Sequence, residues 1–230
     1  MPTPLDFARQ ELASRIKEPE AFARYSGGRD EAWCAHFVSW LYAQAGAPLP
    51  GYFPPHTGRG GFSPTGGCNY LVKTMRDAGR ILPPGTIPQP NDLIFYKHVD
   101  PKTGQFTTKG ALYGLPFVYG HVGLVADVIE DRGVKKVVTI EGNYSSKVSE
   151  VKTRLDSPTI GLFARPAGPG EAQNLPVAPG AGTSPSLQTS AFNEPPSEES
   201  LLPVFILAGA VAAGVYLIKR KRRLRRLQGR

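Results

Sequence analysis

Two strand-like runs flank Asp131-Arg132-Gly133, and this arrangement constrains the fold more than any other stretch of the chain. Gly120 to Val128 alternates as a half-buried strand does, and a second run extends from Val134 to Asn143. With Gly133 in the left-handed conformation, the three intervening residues close an antiparallel hairpin in which 130 pairs with 134. That register sets His121 opposite Asn143. Directly opposed side chains have Cβ atoms about 5 Å apart, close enough for an amide to hold an imidazole in one tautomer and orientation. Glu141 falls on the same face, two residues back.

The rest of the first 166 residues supplies helices before strands. Pro4 starts a helix carrying Leu5, Leu12 and Ile16, an apolar helix follows around Cys34, and a third runs from about Asn69 to Ala78. Strand signals then cover Leu93 to Tyr96, Tyr119 to Ile129, Val134 to Glu141, Val148 to Leu155 and Ile160 to Ala164. Helices followed by an antiparallel sheet define an α+β fold.

The second helix carries the chemistry. Asp30 is its expected N-cap and Gly46 its C-terminal stop, which puts Cys34 in the first turn. Amide hydrogens and the positive end of the helix dipole favour a thiolate there. A nucleophile needs a base, and the chain has four histidines. His36 lies two residues from Cys34 and points to another face of the helix. His56 and His98 sit in turn-like surroundings, which leaves His121 on its strand. Nucleophile on a helix N-terminus, base on a strand and orienting polar group on the next strand make up the cysteine-protease arrangement.

The stretches W-C-A-H-F-V-S-W, P-N-D-L-I-F-Y, G-H-V-G-L-V, I-E-G-N-Y-S and G-L-F-A-R-P, in that order, resemble CHAP domains. These are cysteine, histidine-dependent amidohydrolases and peptidases, related to the papain-like NlpC/P60 group, that cut peptidoglycan. The resemblance covers roughly residues 4 to 166. It implies Cys34 as nucleophile, His121 as base, and Asn143 or Glu141 as the third and fourth polar members. Asn91-Asp92 replaces the Gly-Asp of many relatives, a turn that Asn also tolerates. The acidic calcium loop of some relatives is missing, since Tyr25 to Asp30 holds one carboxylate, so neither metal nor cofactor is implied.

Composition divides the remaining chain. Residues 167–200, rich in Gly, Pro, Ser and Ala, read as a disordered tether with a root-mean-square span of about 30 Å. Leu201 to Ile218 is uncharged throughout and, as a helix, extends about 27 Å, which matches a bilayer core. Ala208, Gly209, Ala212 and Ala213 form a small-residue stripe suited to helix pairing. The formal charge of +8 resides in the tail from Lys219 to Arg230, which has eight basic and no acidic residues; elsewhere 19 basic residues balance 19 acidic ones. The expected partners are therefore peptidoglycan for residues 1–166, lipid for 201–218, and anionic head groups or nucleic acid for 219–230.

Met1 to Glu20 has no apolar core of signal-peptide length, yet the basic flank places the N-terminal domain across the membrane from the tail. The expected localisation is thus a single-pass membrane anchor with its catalytic domain on the wall side. A membrane-containing bacteriophage, with the anchor in the virion membrane and the tail toward the genome, reconciles export with the missing signal.

Competing readings differ in class. Cys34 and Cys68 as a disulfide would block the nucleophile, and Cys68 otherwise heads the third helix in a structural role. Trp33, Phe37, Trp40 and Leu41 are expected in the core, whereas Tyr119 and Tyr144 flank the base and orienting residue as cleft candidates. The function expected is hydrolysis of a peptidoglycan amide by acyl transfer, either muramoyl-alanine amidase or peptide endopeptidase. The alternatives are a thiol acyltransferase or protein peptidase, and a non-catalytic wall-binding or structural membrane protein that keeps only the fold.

Overall fold

The first helix begins where the sequence supplies both halves of a capping box. The Thr3 Oγ1 accepts from the Asp6 amide at 3.3 Å, the Asp6 Oδ2 accepts from the Thr3 amide at 2.8 Å, and Pro4 sets the first turn. In a computed structural model, which describes residues 1–50, 67–108, 112–168 and 171, this is α1 (Pro4–Ser14). It is followed by α2 (Glu20–Tyr25), α3 (Cys34–Gln44) and α4 (Cys68–Asp77). Five strands come after them: β1 (Leu93–Lys97), β2 (Tyr119–Asp131), β3 (Val134–Tyr144), β4 (Lys147–Arg154) and β5 (Ile160–Ala164). They form one sheet in the order β4-β3-β2-β1-β5, and the paired strands are antiparallel.

The main core lies between helices and sheet. Trp33 at the N-cap of α3, Phe37, Val38 and Leu41 within it, and Leu71 and Met75 of α4 pack with Phe95, Val122, Leu124 and Ile140. Ile94, Val125 and Val137, one residue out of phase, project to the other face and pack with Tyr96, Ile160 and Phe163. The α+β expectation and all five strand segments are realised. The expected third helix is α4, which starts one residue earlier; α2, six residues between Pro19 and Ser26, gives too short a period to read from sequence.

Two local expectations need correction. The hairpin closes with two residues, not three: Arg132 (φ 52°) and Gly133 (φ 75°) turn the chain and Asp131 pairs with Val134. The register is then one residue off as far as Asp127–Val138, until a bulge at Ala126 restores the anticipated pairs Val125–Thr139 and Leu124–Ile140. Asp30 does not cap α3. Trp33 holds the N-cap position without a side-chain cap, because Glu31 turns back onto Arg29 (2.8 Å) and His36 (3.1 Å) instead of leading the chain into a helix.

The Asn91-Asp92 turn ties the sheet to the start of α1 and to the segment just after β5. Asn91 takes φ 74°, as its tolerance of that region allows, and its Oδ1 accepts from the Leu5 amide at 2.8 Å. Buried Asp92 receives two bonds of 2.8 Å from the Arg165 guanidinium. The chain continues beyond residue 166 to bring Glu171 within 3.6 Å of Arg80. No helix among the described residues is long and apolar enough to cross a membrane. The expected anchor 201–218, the tail 219–230, nearly all of the tether and His56 lie outside the described residues.

Candidate active site

Cys34 is the first residue of α3, and its position is fixed by packing. Trp33 and Phe37, fully buried, wedge the helix start against β3, with Tyr25 stacked on Trp33 at 5.3 Å between centroids. The strand approaches so closely at Gly142 that a Cβ there would lie 2.5 Å from the Phe37 Cβ. At the far end, Gly46 (φ 75°) closes α3 as anticipated: its amide bonds the Ala43 carbonyl, and the Ala47 amide bonds Tyr42. Cys34 is thereby held at the uncapped, electropositive end of the helix, 3% exposed.

His121 enters from β2, directly opposite Tyr96 of β1, with the two rings 5.9 Å apart. Its Nε2–H donates to the Glu141 Oε2 at 2.9 Å, which leaves Nδ1 as the nitrogen able to face a thiol. Glu141 is almost wholly buried, and its Oε1 accepts from the Tyr96 hydroxyl at 2.9 Å and the Thr139 hydroxyl at 2.6 Å. Gly123 makes room for it. A Cβ on that residue would meet the Glu141 Cγ at 2.8 Å, so the glycine lets the carboxylate cross the strand to the imidazole.

These groups polarise one another. Hydrogen bonding from Cys68 is the largest influence on Cys34; with the His121 charge and the Val122 amide it outweighs burial and holds the thiol well below its usual range. Burial alone would strip the proton from His121, but the Cys34 thiolate and the Glu141 carboxylate raise it to about 10. Burial likewise opposes charge on Glu141, yet His121, Thr139 and Tyr96 hold it below the ordinary carboxylate range. The favoured state is a thiolate–imidazolium pair backed by a carboxylate. Such a pair can attack a carbonyl carbon and return a proton to a leaving group.

Cys68, the first residue of α4, stands beside the nucleophile, with its Sγ 3.7 Å from the Cys34 Sγ and both thiols free. The next residue fixes that location, since the Asn69 Oδ1 accepts from the Tyr119 amide at 2.7 Å, two residues before His121. The sequence admits Cys68 as a disulfide partner of Cys34 and otherwise as a structural helix-start cysteine; it is neither disulfide-bonded nor remote, but a free thiol next to the nucleophile. Its neighbour depends on how α4 docks, and no local pattern encodes that.

The candidate residues separate as follows. Cys34, His121 and Glu141 converge. Asn143 makes no hydrogen bond to His121, whose Nε2 is taken by Glu141; β3 bulges after Glu141 and Asn143 sits there at φ 61°, a left-handed position that takes it out of strand alternation. His36 is a buried partner of Glu31, and His98 bonds the Thr107 hydroxyl at 2.9 Å. Tyr119 is a core residue against Phe95, not a cleft residue, whereas Tyr144 is exposed with its ring 6.4 Å from His121. Tyr96 and Thr139 were missed as partners of Glu141. The strand alternation places Thr139 on its face, but Tyr96 reaches it only through the β1–β2 pairing.

Among the described residues no group of three or more His, Cys, Asp or Glu is placed to hold a metal ion. Compared with known families, the chain matches the CHAP domain model over residues 25–143, just over half its length and the span that holds Cys34, Cys68, His121 and Glu141. No curated protein and no solved structure matches it.

Proposed function

The chain belongs to the CHAP domain family, a family of amidases and peptidases acting on peptidoglycan, and on that premise we propose that it hydrolyses a peptidoglycan amide through Cys34. The observation that carries this reading is the unbroken series Cys34–His121–Glu141, in which each group favours the charged form of the next. The Cys34 thiolate attacks the carbonyl of a stem-peptide bond or of the lactyl-alanine link. The first-turn amides of α3, on which Trp33 spends no side-chain cap, receive the oxyanion. His121 then protonates the leaving amine, and water, deprotonated by the same imidazole, releases the acyl group. Glu141 holds the Nε2–H tautomer throughout, and Tyr96 and Thr139 hold Glu141.

Substrate class is supported by the surroundings of Tyr144. A cleft that includes this ring is lined by Arg15, Lys17 and Lys147 against one carboxylate, Glu150, a net positive lining suited to the free carboxylates of stem peptides. Residues 1–166 form the catalytic part in this reading, 167–200 a tether, 201–218 a membrane anchor and 219–230 a basic membrane-retention tail; a phage virion or lysis protein accommodates all four. Asn143 has a secondary place, as a residue of the bulge that carries Tyr144. Digestion of purified cell walls followed by mass spectrometry of the soluble fragments tests the reaction. New amino termini or free lactyl groups that vanish with Cys34→Ala support it, and intact walls under conditions where Cys34 reacts with a thiol probe would refute it.

A further inference from the structure

Two thiols at 3.7 Å, one of them the first residue of α3 and the other the first residue of α4, are more than a nucleophile requires. One cysteine suffices for acyl transfer. We propose that Cys34 and Cys68 form a reversible oxidation site, in which a hydroperoxide converts the reactive thiol into an intramolecular disulfide that switches hydrolysis off and shields Cys34 from irreversible oxidation. It deepens the reading of Cys34 as the reactive thiol and rests on it.

The chemistry balances with hydrogen peroxide as the named oxidant. The Cys34 thiolate attacks one peroxide oxygen: an S–O bond forms, the O–O bond breaks, and hydroxide leaves to take up a proton as water. Cys34 is now a sulfenic acid, two electrons oxidised. Cys68 loses its proton and attacks that sulfur, so that an S–S bond forms, the S–O bond breaks and a second hydroxide leaves as water. The sum is two thiols and one peroxide giving one disulfide and two waters. A dithiol reverses it by exchange.

The arrangement favours each stage. Thiolate character selects Cys34 as the first sulfur oxidised, since the thiolate is the form that attacks peroxide. Cys68 is burdened the other way, its proton retained by the bond to Cys34 and by burial, so it waits as the resolving thiol. When Cys34 becomes a neutral sulfenic acid, the negative charge that held this proton is gone. The sulfurs must then close from 3.7 Å to about 2.05 Å, a movement within the compass of side-chain rotation. The bond from Asn69 to the Tyr119 amide keeps α4 in position while this happens. With Cys34 3% and Cys68 7% exposed, a small oxidant such as hydrogen peroxide suits the site.

The test uses the full chain, reduced and then treated with near-stoichiometric hydrogen peroxide. Free thiols are alkylated and the protein is digested without reductant. The expected product is a peptide joining Cys34 to Cys68, lighter by the two thiol hydrogens, formed in step with loss of wall hydrolysis and reversed by dithiothreitol. In Cys68→Ser, Cys34 should proceed to sulfinic and sulfonic acids, and dithiothreitol should restore neither alkylation nor hydrolysis. Recovery of wild-type Cys34 alkylation after reduction provides the same information where the variant fails to fold. Cys34 found as a sulfinic acid beside a still-alkylatable Cys68, or cross-links only between chains, would overturn the proposal. A Cys34–Cys68 cross-link in a chain that releases nothing from walls would instead sink the hydrolase reading and leave the oxidation site standing.

Discussion

Cys34 and His121 stabilise each other only while they carry opposite charge, and this coupling makes the site measurable by titration. The folded pKa of His121, about 10, lies above its ordinary 6.5, so the stabilisation from its proton is complete below about 6.5 and is lost as pH rises through 10. The Cys34 thiol is shifted downward, so its contribution is present above the ordinary thiol range and is lost as pH falls through the lowered value. The rate profile should therefore be a broad plateau across neutrality, with an alkaline limb near 10. Cys34→Ala removes the charge that raises His121, and NMR titration of the imidazole should show its pKa falling well below that of the wild type. An unchanged value would mean that thiol and imidazole do not face each other. Glu141→Gln cannot accept from His121, Tyr96 and Thr139 at once, since only one of its two terminal atoms is an acceptor. It should lower kcat by about 10²–10⁴-fold with little change in KM. Asn143→Ala should cost about 1 kcal/mol of stability, from the left-handed backbone at φ 61°, and less than tenfold in kcat. A loss as large as that of Glu141→Gln would restore Asn143 as the orienting residue.

Elements hold these groups in place through two close approaches. Gly142 lets β3 touch α3, and Gly142→Ala drives a methyl into Phe37 and Trp33, contacts of 2.5–2.8 Å that only a shift of the helix start can relieve. A loss of about 2–3 kcal/mol is expected, seen as a lowered urea midpoint, with kcat falling further than stability because the shifted end carries Cys34. Arg165→Ala acts at the opposite edge by leaving buried Asp92 without its cation; with Arg165 40% exposed, water offsets part of the penalty and about 3 kcal/mol is expected. Its kcat should be unchanged in the folded fraction. Among the described residues, the five strands and three of the four helices were legible because period and punctuation are local: Gly46 stops α3, Asn91 turns into β1, and Asp131-Arg132-Gly133 marks the hairpin. Loop length was not legible, since Arg132 must enter the left-handed region beside Gly133, and sequence gave no reason to expect it. The near-site register survived that error only because the bulge at Ala126 cancels it. Beyond the bulge at Asn143, alternation no longer tells which side chain meets His121. The Cys34–Cys68 contact and the bond from Tyr96 to Glu141 are tertiary and leave no periodic trace.

At the scale of the whole molecule, charge and apolar residues are segregated along the chain: residues before 219 balance, 19 basic against 19 acidic, and the tail carries the surplus of eight. A catalytic part without excess charge has no strong attraction for lipid head groups, so membrane retention in the proposed organisation falls to Leu201–Ile218 and the basic residues behind it. Glu171, within 3.6 Å of Arg80, sets the shortest fragment that keeps every described contact. Residues 1–171 should fold, remain in the supernatant after ultracentrifugation with vesicles, and react at Cys34 with a thiol probe as the full chain does. The full chain should sediment with vesicles and resist extraction by high salt, because burying an 18-residue apolar segment does not depend on ionic strength whereas the attraction of the tail alone does. Release by salt would reduce the segment to a surface contact. In sealed vesicles of known sidedness, added protease should remove either the tail or residues 1–171 but never both, since eight cations resist transfer across the bilayer. Simultaneous loss of both from intact vesicles would refute a membrane-spanning anchor.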